Sequence, residues 1–221
     1  MREIVLDTET TGLDPKSGDR IVEVGCLELI NHVPSQVTFH RYINPERDMP
    51  TEAFNVHGLS EEFLRKHPTF SEVADDFVAF IGNDPLIIHN AEFDLRFLNS
   101  ELARLQKPPI PSDRAIDTVR IARQRYPGAQ ASLDALCRRF GIDNSRRSKH
   151  GALLDAELLA EVYLELIGGR QPGLTFAQQA GETETVVERQ ARPPRPHRAS
   201  DEELEAHAAF LDKLKEPIWR R

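Results

Sequence analysis

The apolar residues of this chain change period once, and that change constrains the fold more than any single motif. Ile4-Val5-Leu6, residues 21–30 (IVEVGCLELI) and residues 36–43 (QVTFHRYI) are short runs rich in β-branched and apolar side chains, the composition of strands. Asn31-His32-Val33-Pro34-Ser35 suits a hairpin connection between the second and third, so three early strands with short links predict an antiparallel meander. The spacing then becomes helical. Val73, Ala74, Phe77, Val78 and Ile81 form a stripe behind an N-cap at Ser71 and stop at Gly82. Leu86-Ile87-Ile88 is a short strand, and Phe93, Phe97, Leu98, Leu102 and Leu105 share one face of the helix after it. Ile116-Asp117-Thr118 is another short strand, followed by a brief helix to about Tyr126. Ser132 caps a helix that stops at Gly141, and a last helix covers about 152–167. Strands first, then strands alternating with helices, predict an α/β domain over 1–169, with a mixed five-stranded sheet flanked by helices.

Beyond residue 169 the chain changes character. Residues 177–199 contain Gln178-Gln179, Glu182, Glu184 and Arg192-Pro193-Pro194-Arg195-Pro196, with few large apolar groups, the composition of a flexible linker. Residues 200–221 predict a C-terminal helix. Ser200 and Glu203 make a capping box, Lys213 and Lys215 suit the negative end of the helix dipole, and Pro217 ends it. Leu204, Ala208, Leu211 and Leu214 line up on one face, with Phe210 and Trp219 nearby. A helix this short is marginal alone in water, so that face needs its own domain or another protein to cover it.

Composition narrows the functional classes. The 221 residues carry a formal net charge of −8, which argues against a protein held on nucleic acid by a general basic surface. A nucleic-acid enzyme stays open, because bound metals supply positive charge locally. Cys26 and Cys137 lie in apolar-rich segments with no metal or redox spacing, and read as buried thiols in a reducing compartment. Arg2, Glu3 and Asp7 interrupt any signal-peptide apolar region, and no apolar run approaches a membrane span. The expectation is a soluble, cytoplasmic chain without a membrane partner.

Three acidic groupings carry chemistry. Asp7 and Glu9 close the first strand in Asp7-Thr8-Glu9-Thr10-Thr11-Gly12. Strand alternation sends both to one face, where they repel unless a proton or a cation lies between them. Mg²⁺ and Mn²⁺ prefer such oxygen ligands; a solvated strand end is the alternative. In His89-Asn90-Ala91-Glu92-Phe93-Asp94 a strand ends and a helix begins, with Asn90 and Asp94 on one helical face. In His150-Gly151-Ala152-Leu153-Leu154-Asp155 the five-residue separation is not a same-face spacing. Both side chains serve one site only if His150 lies on the loop before the helix and Asp155 in its early turns. Asp94 and Asp155 also read as early-helix acids favoured by the dipole, and His150 as an exposed loop histidine.

These three segments, in this order and separation, resemble the exonuclease motifs of the DEDDh 3′–5′ exonucleases. The resemblance covers about 3–169, including Asn55-Val56-His57-Gly58-Leu59 and Ser132-Leu133-Asp134-Ala135-Leu136-Cys137, and resumes over 200–219. It implies a ribonuclease-H-like sheet and a mechanism using two divalent ions, Mg²⁺ or Mn²⁺, about 3.5–4 Å apart. It also implies roles. Asp7 bridges both ions, Glu9 and Asp155 help hold the one that activates water, and Asp94 holds the other. His150 takes the proton of the attacking water, a task suited to a pKa near neutrality. Thr8, Thr10, Leu13, His57, Asn90 and Phe93 would grip the terminal nucleotides; for His57 and His89 a structural role is equally open.

Gln171-Pro172-Gly173-Leu174-Thr175-Phe176 resembles the short peptide by which bacterial replication proteins bind the sliding clamp, with Gln171, Leu174 and Phe176 as anchors in the segment 170–176. Packing of Leu174 and Phe176 on their own domain is the alternative. The tail helix, through Leu204, Ala208, Leu211, Leu214 and Trp219, would tether the nuclease to the catalytic subunit of a replicative DNA polymerase, with the linker keeping it close. The implied partners are thus a single-stranded or frayed DNA 3′ end, that polymerase subunit and the clamp, with room for a small accessory subunit. The resemblance thus implies a proofreading 3′–5′ exonuclease that removes mispaired 3′-terminal nucleotides as 5′-monophosphates, and this expectation stands against a free-standing RNA-trimming nuclease, for which linker and tail have no use. It also stands against a non-enzymatic adaptor, for which the full set Asp7, Glu9, Asp94, His150 and Asp155 has none.

Overall fold

The computed structural model describes residues 1–147, 149–169 and 198–214, which fall in two separate compact units. The first is built on β1 (Arg2–Thr10), β2 (Ile21–Ile30), β3 (Val33–Tyr42), β4 (Leu86–Ile88) and β5 (Ala115–Asp117). These form one sheet in the order β3-β2-β1-β4-β5. The hairpin-linked strands pair antiparallel, whereas β1–β4 and β4–β5 are parallel. Helices α1 (Thr51–His57), α2 (Glu61–Leu64), α3 (Phe70–Ile81), α4 (Ala91–Arg104), α5 (Thr118–Arg125), α6 (Leu133–Phe140) and α7 (Ala152–Leu166) complete the unit. The expected mixed five-stranded α/β sheet is what the chain forms. Side-chain alternation on β1 builds the two layers. Ile4 and Leu6 enter a core with Phe70, Phe77 and Phe97 from α3 and α4. Val5 enters the other, with Leu136, Leu159 and Val162 from α6 and α7.

Local details depart from the sequence reading. The hairpin needs only two linking residues, Asn31 and His32, because Ile30 pairs with Val33 and Leu29 with Pro34. Both linkers have positive φ, 51° and 67°, as the tightest hairpin turns require. Pro34 therefore sits inside β3, at the sheet edge, where a missing N–H breaks no ladder. The N-cap of α3 is Thr69 rather than Ser71. Phe70 is already helical and buried, and the Glu72 carboxylate accepts from the Thr69 backbone N–H at 2.7 Å. α1 and α2 go beyond the sequence reading; Phe54, Val56 and Phe63 are exposed and Leu64 is the one large apolar residue of the pair that is buried, so no buried stripe marks them.

The parallel strands β1, β4 and β5 end on the same side, and α4 and α7 start there. One glycine permits this. Gly25 lies opposite Asp7 across the β1–β2 pairing. A Cβ at Gly25 would stand 2.3 Å from the Ala152 carbonyl carbon and 2.3 Å from the Leu153 nitrogen, so the first turn of α7 rests directly on bare backbone. Gly25→Ala is expected to destabilise the chain by about 1–3 kcal/mol through overpacking, read as a lower melting temperature. An unchanged melt would show that α7 is not seated there.

In the second unit, α8 (Asp201–Leu211) carries the expected capping box. The Glu203 N–H donates to the Ser200 hydroxyl at 3.3 Å, and the Ser200 N–H donates to the Glu203 carboxylate at 2.9 Å. Leu204, Ala208, Phe210 and Leu214 are exposed, while Leu211 is covered. Gln171, Leu174, Phe176, most of the linker, Lys215, Pro217 and Trp219 lie outside the described residues. No helix among the described residues is long and apolar enough to cross a membrane.

Candidate active site

At the shared strand ends lies a cavity of about 320 Å³, lined by Asp7, Glu9, Asp94, His150 and Asp155 together. Asp7 and Glu9 come from β1, Asp94 from the first turn of α4 and Asp155 from the first turn of α7, with His150 just ahead of it. This is the arrangement that the His150–Asp155 spacing required. One ligand atom each of Glu9, His150 and Asp155 lie within 4.8 Å of one another. Asp94 faces β1 from the opposite layer, where its carboxylate accepts a hydrogen bond of 2.7 Å from the Thr8 hydroxyl.

The electrostatics of this cluster are unfavourable to the bare fold. Burial, then repulsion from Asp155, Glu23 and Asp94, pushes the Glu9 carboxyl up to about 8. Burial pushes Asp94 up to about 7, against the opposing hydrogen bond from Thr8. Asp7 is held well above the usual carboxylate range by desolvation and by Asp94, Glu9 and Asp155. Crowded acids of this kind raise no stability of their own and mark functional positions. Four oxygen donors converging with unmet demand for positive charge fit hard divalent cations.

Arg147 meets part of that demand. Its Nε donates to Asp155 Oδ1 at 2.5 Å and one terminal nitrogen to Oδ2 at 2.6 Å; the other terminal nitrogen reaches Asp134 at 2.8 Å. The guanidinium is only 8% exposed, and it also stands 3.0 Å from His150 Nδ1. The same His150 nitrogen lies 3.5 Å from Asp155. Burial, then the Arg147 charge, lowers the His150 pKa, leaving the imidazole neutral at ordinary pH. Sequence reasoning passes over Arg147 and Asp134. Nothing local separates Arg147 from Arg146, which is exposed and stands 4.0 Å from Glu157.

The expected nucleotide-gripping residues divide. Phe93 and Thr8 line the cavity, although the Thr8 hydroxyl is committed to Asp94. Asn90 is the N-cap of α4 in the left-handed region, φ 70°, so it does not share a helical face with Asp94 as the spacing suggests. Its backbone N–H donates to Asp117. Thr10 bonds its own turn at Gly12, and Leu13 stands 78% exposed with its carbonyl held by Arg96. His57 is buried, with Nδ1 accepting from the Leu59 N–H at 3.0 Å. His89 lines the cavity and bonds Thr118 at 2.9 Å.

Comparison with known proteins gives this geometry its context. A family model described as "Exonuclease" matches residues 4–163. The chain is 49% identical over 222 residues to a protein of Rickettsia felis named DNA polymerase III subunit epsilon, covering 97% of each. It is 44% identical over 238 residues to the protein of that name from Escherichia coli K12, covering 99% of this chain and 97% of the other. The nuclease domain of 3′hExo, described as a DEDDh family member bound to rAMP, superposes with a TM-score of 0.65 at 19% identity, over 75% of this chain and 91% of that one. The last likeness bears on the fold alone, which is the ribonuclease-H-like one. On the family match and the 44–49% identity over nearly the whole of both chains, the chain belongs to the exonuclease family, and with it to the divalent-metal-dependent nucleases.

Proposed function

We propose that the chain is the proofreading subunit of a bacterial replicative DNA polymerase, removing mispaired nucleotides from the DNA 3′ end as 5′-monophosphates in the cytoplasm. The observation that carries the chemistry is the convergence of Asp7, Glu9, Asp94, Asp155 and His150 on one cavity. Asp7, Glu9, Asp94 and Asp155 would hold two divalent ions, Mg²⁺ or Mn²⁺, with Asp7 serving both, Glu9 and Asp155 one and Asp94 the other. When bound, the ions supply the positive charge that stabilises the attacking and leaving oxygens of an in-line displacement. His150, neutral at ordinary pH, accepts a proton from the attacking water, and Asp155 beside it steadies the resulting imidazolium. The new bond joins the water oxygen to phosphorus; the bond to the 3′ oxygen breaks, and that oxygen leaves with the electron pair and takes a proton from solvent to give a shortened strand with a free 3′ hydroxyl. Thr8 acts through Asp94. Phe93 offers a ring for the terminal base, with Thr10, Leu13, His57 and Asn90 shaping the surroundings.

Identity that extends through the tail supports the assembly role. Leu204, Ala208, Leu211, Leu214 and Trp219 dock on the polymerase catalytic subunit, and Gln171, Leu174 and Phe176 on the sliding clamp. The test is gel-resolved digestion of 5′-labelled single-stranded DNA and a matched RNA with Mg²⁺ or Mn²⁺. Stepwise shortening of DNA from its 3′ end, stopped by chelation, is the expected result. Preference for short RNA would replace proofreading by RNA trimming, and no turnover on either would overturn the catalytic reading.

A further inference from the structure

A second and larger cavity, of about 870 Å³, adjoins the first; His89 and Ser132 line both. One wall is α5, where Arg120, Arg123 and Gln124 stand at the i, i+3, i+4 spacing that places side chains on one helical face. Gln130 lines it from the turn that leads to α6. The opening continues past Ala129 and Gln130 to Arg138 and Arg139 on α6. Arg120, Arg123 and Arg138 are exposed. Among the described residues the arginine ion pairs belong to Arg2, Arg20, Arg47, Arg65, Arg146 and Arg147, and not to these three.

The charge is segregated along the chain as well. Residues 114–149 hold nine Lys or Arg against three Asp, in a protein of formal charge −8. Of the acids on the cavity wall, Asp117 is occupied by the backbone N–H groups of Val119 at 2.8 Å and Asn90 at 3.2 Å. Glu92, an exposed acid, also lines the cavity.

A polyanion that enters the acidic catalytic cavity has to leave it along some surface, and this cleft is lined by free cations. We propose that it holds the phosphodiester backbone of the single strand upstream of the nucleotide being removed, with Arg120, Arg123 and Arg138 contacting successive phosphates. The proposal rests on the nuclease reading. Contacts to phosphate position a strand without reading its sequence, and the Gln124 and Gln130 amides are neutral donors that suit any base. That is what removal of an arbitrary terminus requires.

The experiment compares the parent chain with the combined Arg120→Ala, Arg123→Ala, Arg138→Ala variant on two substrates. One is a labelled oligodeoxynucleotide; the other is the p-nitrophenyl ester of thymidine 5′-monophosphate, which has no upstream phosphate. The variant is expected to raise KM for the oligonucleotide about tenfold and to leave the ester unaffected. Its log–log salt dependence on the strand should be shallower by about 2, at roughly 0.7 for each phosphate left without its arginine. Arg→Lys at the same positions should keep the steeper slope, since charge is what the phosphates need. Unchanged oligonucleotide KM and salt slope would overturn the proposal. Failure of the parent on both substrates would sink the nuclease reading instead. The cleft is then judged by fluorescence anisotropy of a labelled strand in EDTA: weaker binding by the Ala variant supports it, and equal binding refutes it.

Discussion

Asp7→Asn is expected to lower nuclease turnover by about 10³-fold or more and, in the absence of metal, to raise the melting temperature. The first effect follows from the place of Asp7, a buried carboxylate that lines the cavity with Glu9, Asp94 and Asp155 and feels the charge of all three. Divalent ions contribute several kcal/mol of transition-state stabilisation, and about 4 kcal/mol corresponds to about 10³ in rate. The second effect follows from repulsion among the clustered acids. Burial and neighbouring carboxylates push Glu9 up to about 8, and burial pushes Asp94 up to about 7, far above the roughly 4 of an unfolded carboxyl. Between those limits the native state binds more protons than the unfolded chain, so the slope of stability with pH is negative. These groups therefore contribute stability that is complete below about pH 4 and lost as pH rises through about 7–8. Asn keeps the volume of Asp and removes one of the repelling charges, so the metal-free variant should melt higher than the parent at alkaline pH and show a flatter pH dependence. Added Mn²⁺ should stabilise the parent more as pH rises, because ligands bind metal deprotonated. Thermal melts in EDTA and in Mn²⁺ across this range make the check. A variant that melts no higher in alkaline EDTA would show that the carboxylates do not strain the fold, and retained turnover would remove Asp7 from the chemistry.

How far such a site is legible in sequence depends on whether the determinant is local. The run Ile4-Val5-Leu6 into Asp7-x-Glu9 carries its strand and the facing of its acids within a few residues, because alternation is a property of the strand itself. Gly141 and the Ser200–Glu203 pair likewise announce helix ends by chemistry at fixed offsets. The Thr69 cap escapes such a reading because Ser71, an equally good capping residue, stands two positions away; burial of Phe70 in the core decides between them. The hairpin reads too wide because Pro34 looks like a breaker until its strand is known to lie at the sheet edge. Gly25 and Asp134 lie beyond local reading. Gly25 matters only because α7, over a hundred residues later, lands on it. Asp134 looks like an ordinary first-turn acid until Arg147 arrives from the loop before α7.

Arg147→Ala is expected to cost the metal-free chain about 3 kcal/mol or more at neutral to alkaline pH, and much less once divalent metal is added. The guanidinium is bidentate on Asp155 and shared with Asp134, and the Asp155 side chain is only 4% exposed. Removing one partner of a buried pair leaves an uncompensated charge, typically worth about 3–5 kcal/mol; for a domain of this size that is roughly 6–20 °C in melting temperature. The same guanidinium competes with any cation that needs Asp155. A divalent ion must displace it in the parent but not in the variant, so Mn²⁺ should bind the variant more tightly and raise its melting temperature by more degrees than the parent's. Isothermal titration with Mn²⁺ beside paired melts in EDTA and Mn²⁺ separates the two contributions. Equal metal-induced shifts in both proteins would show that Arg147 neither neutralises Asp155 nor competes for it. A larger shift in the variant would make Arg147 the cation that keeps an acid-lined cavity folded until metal arrives.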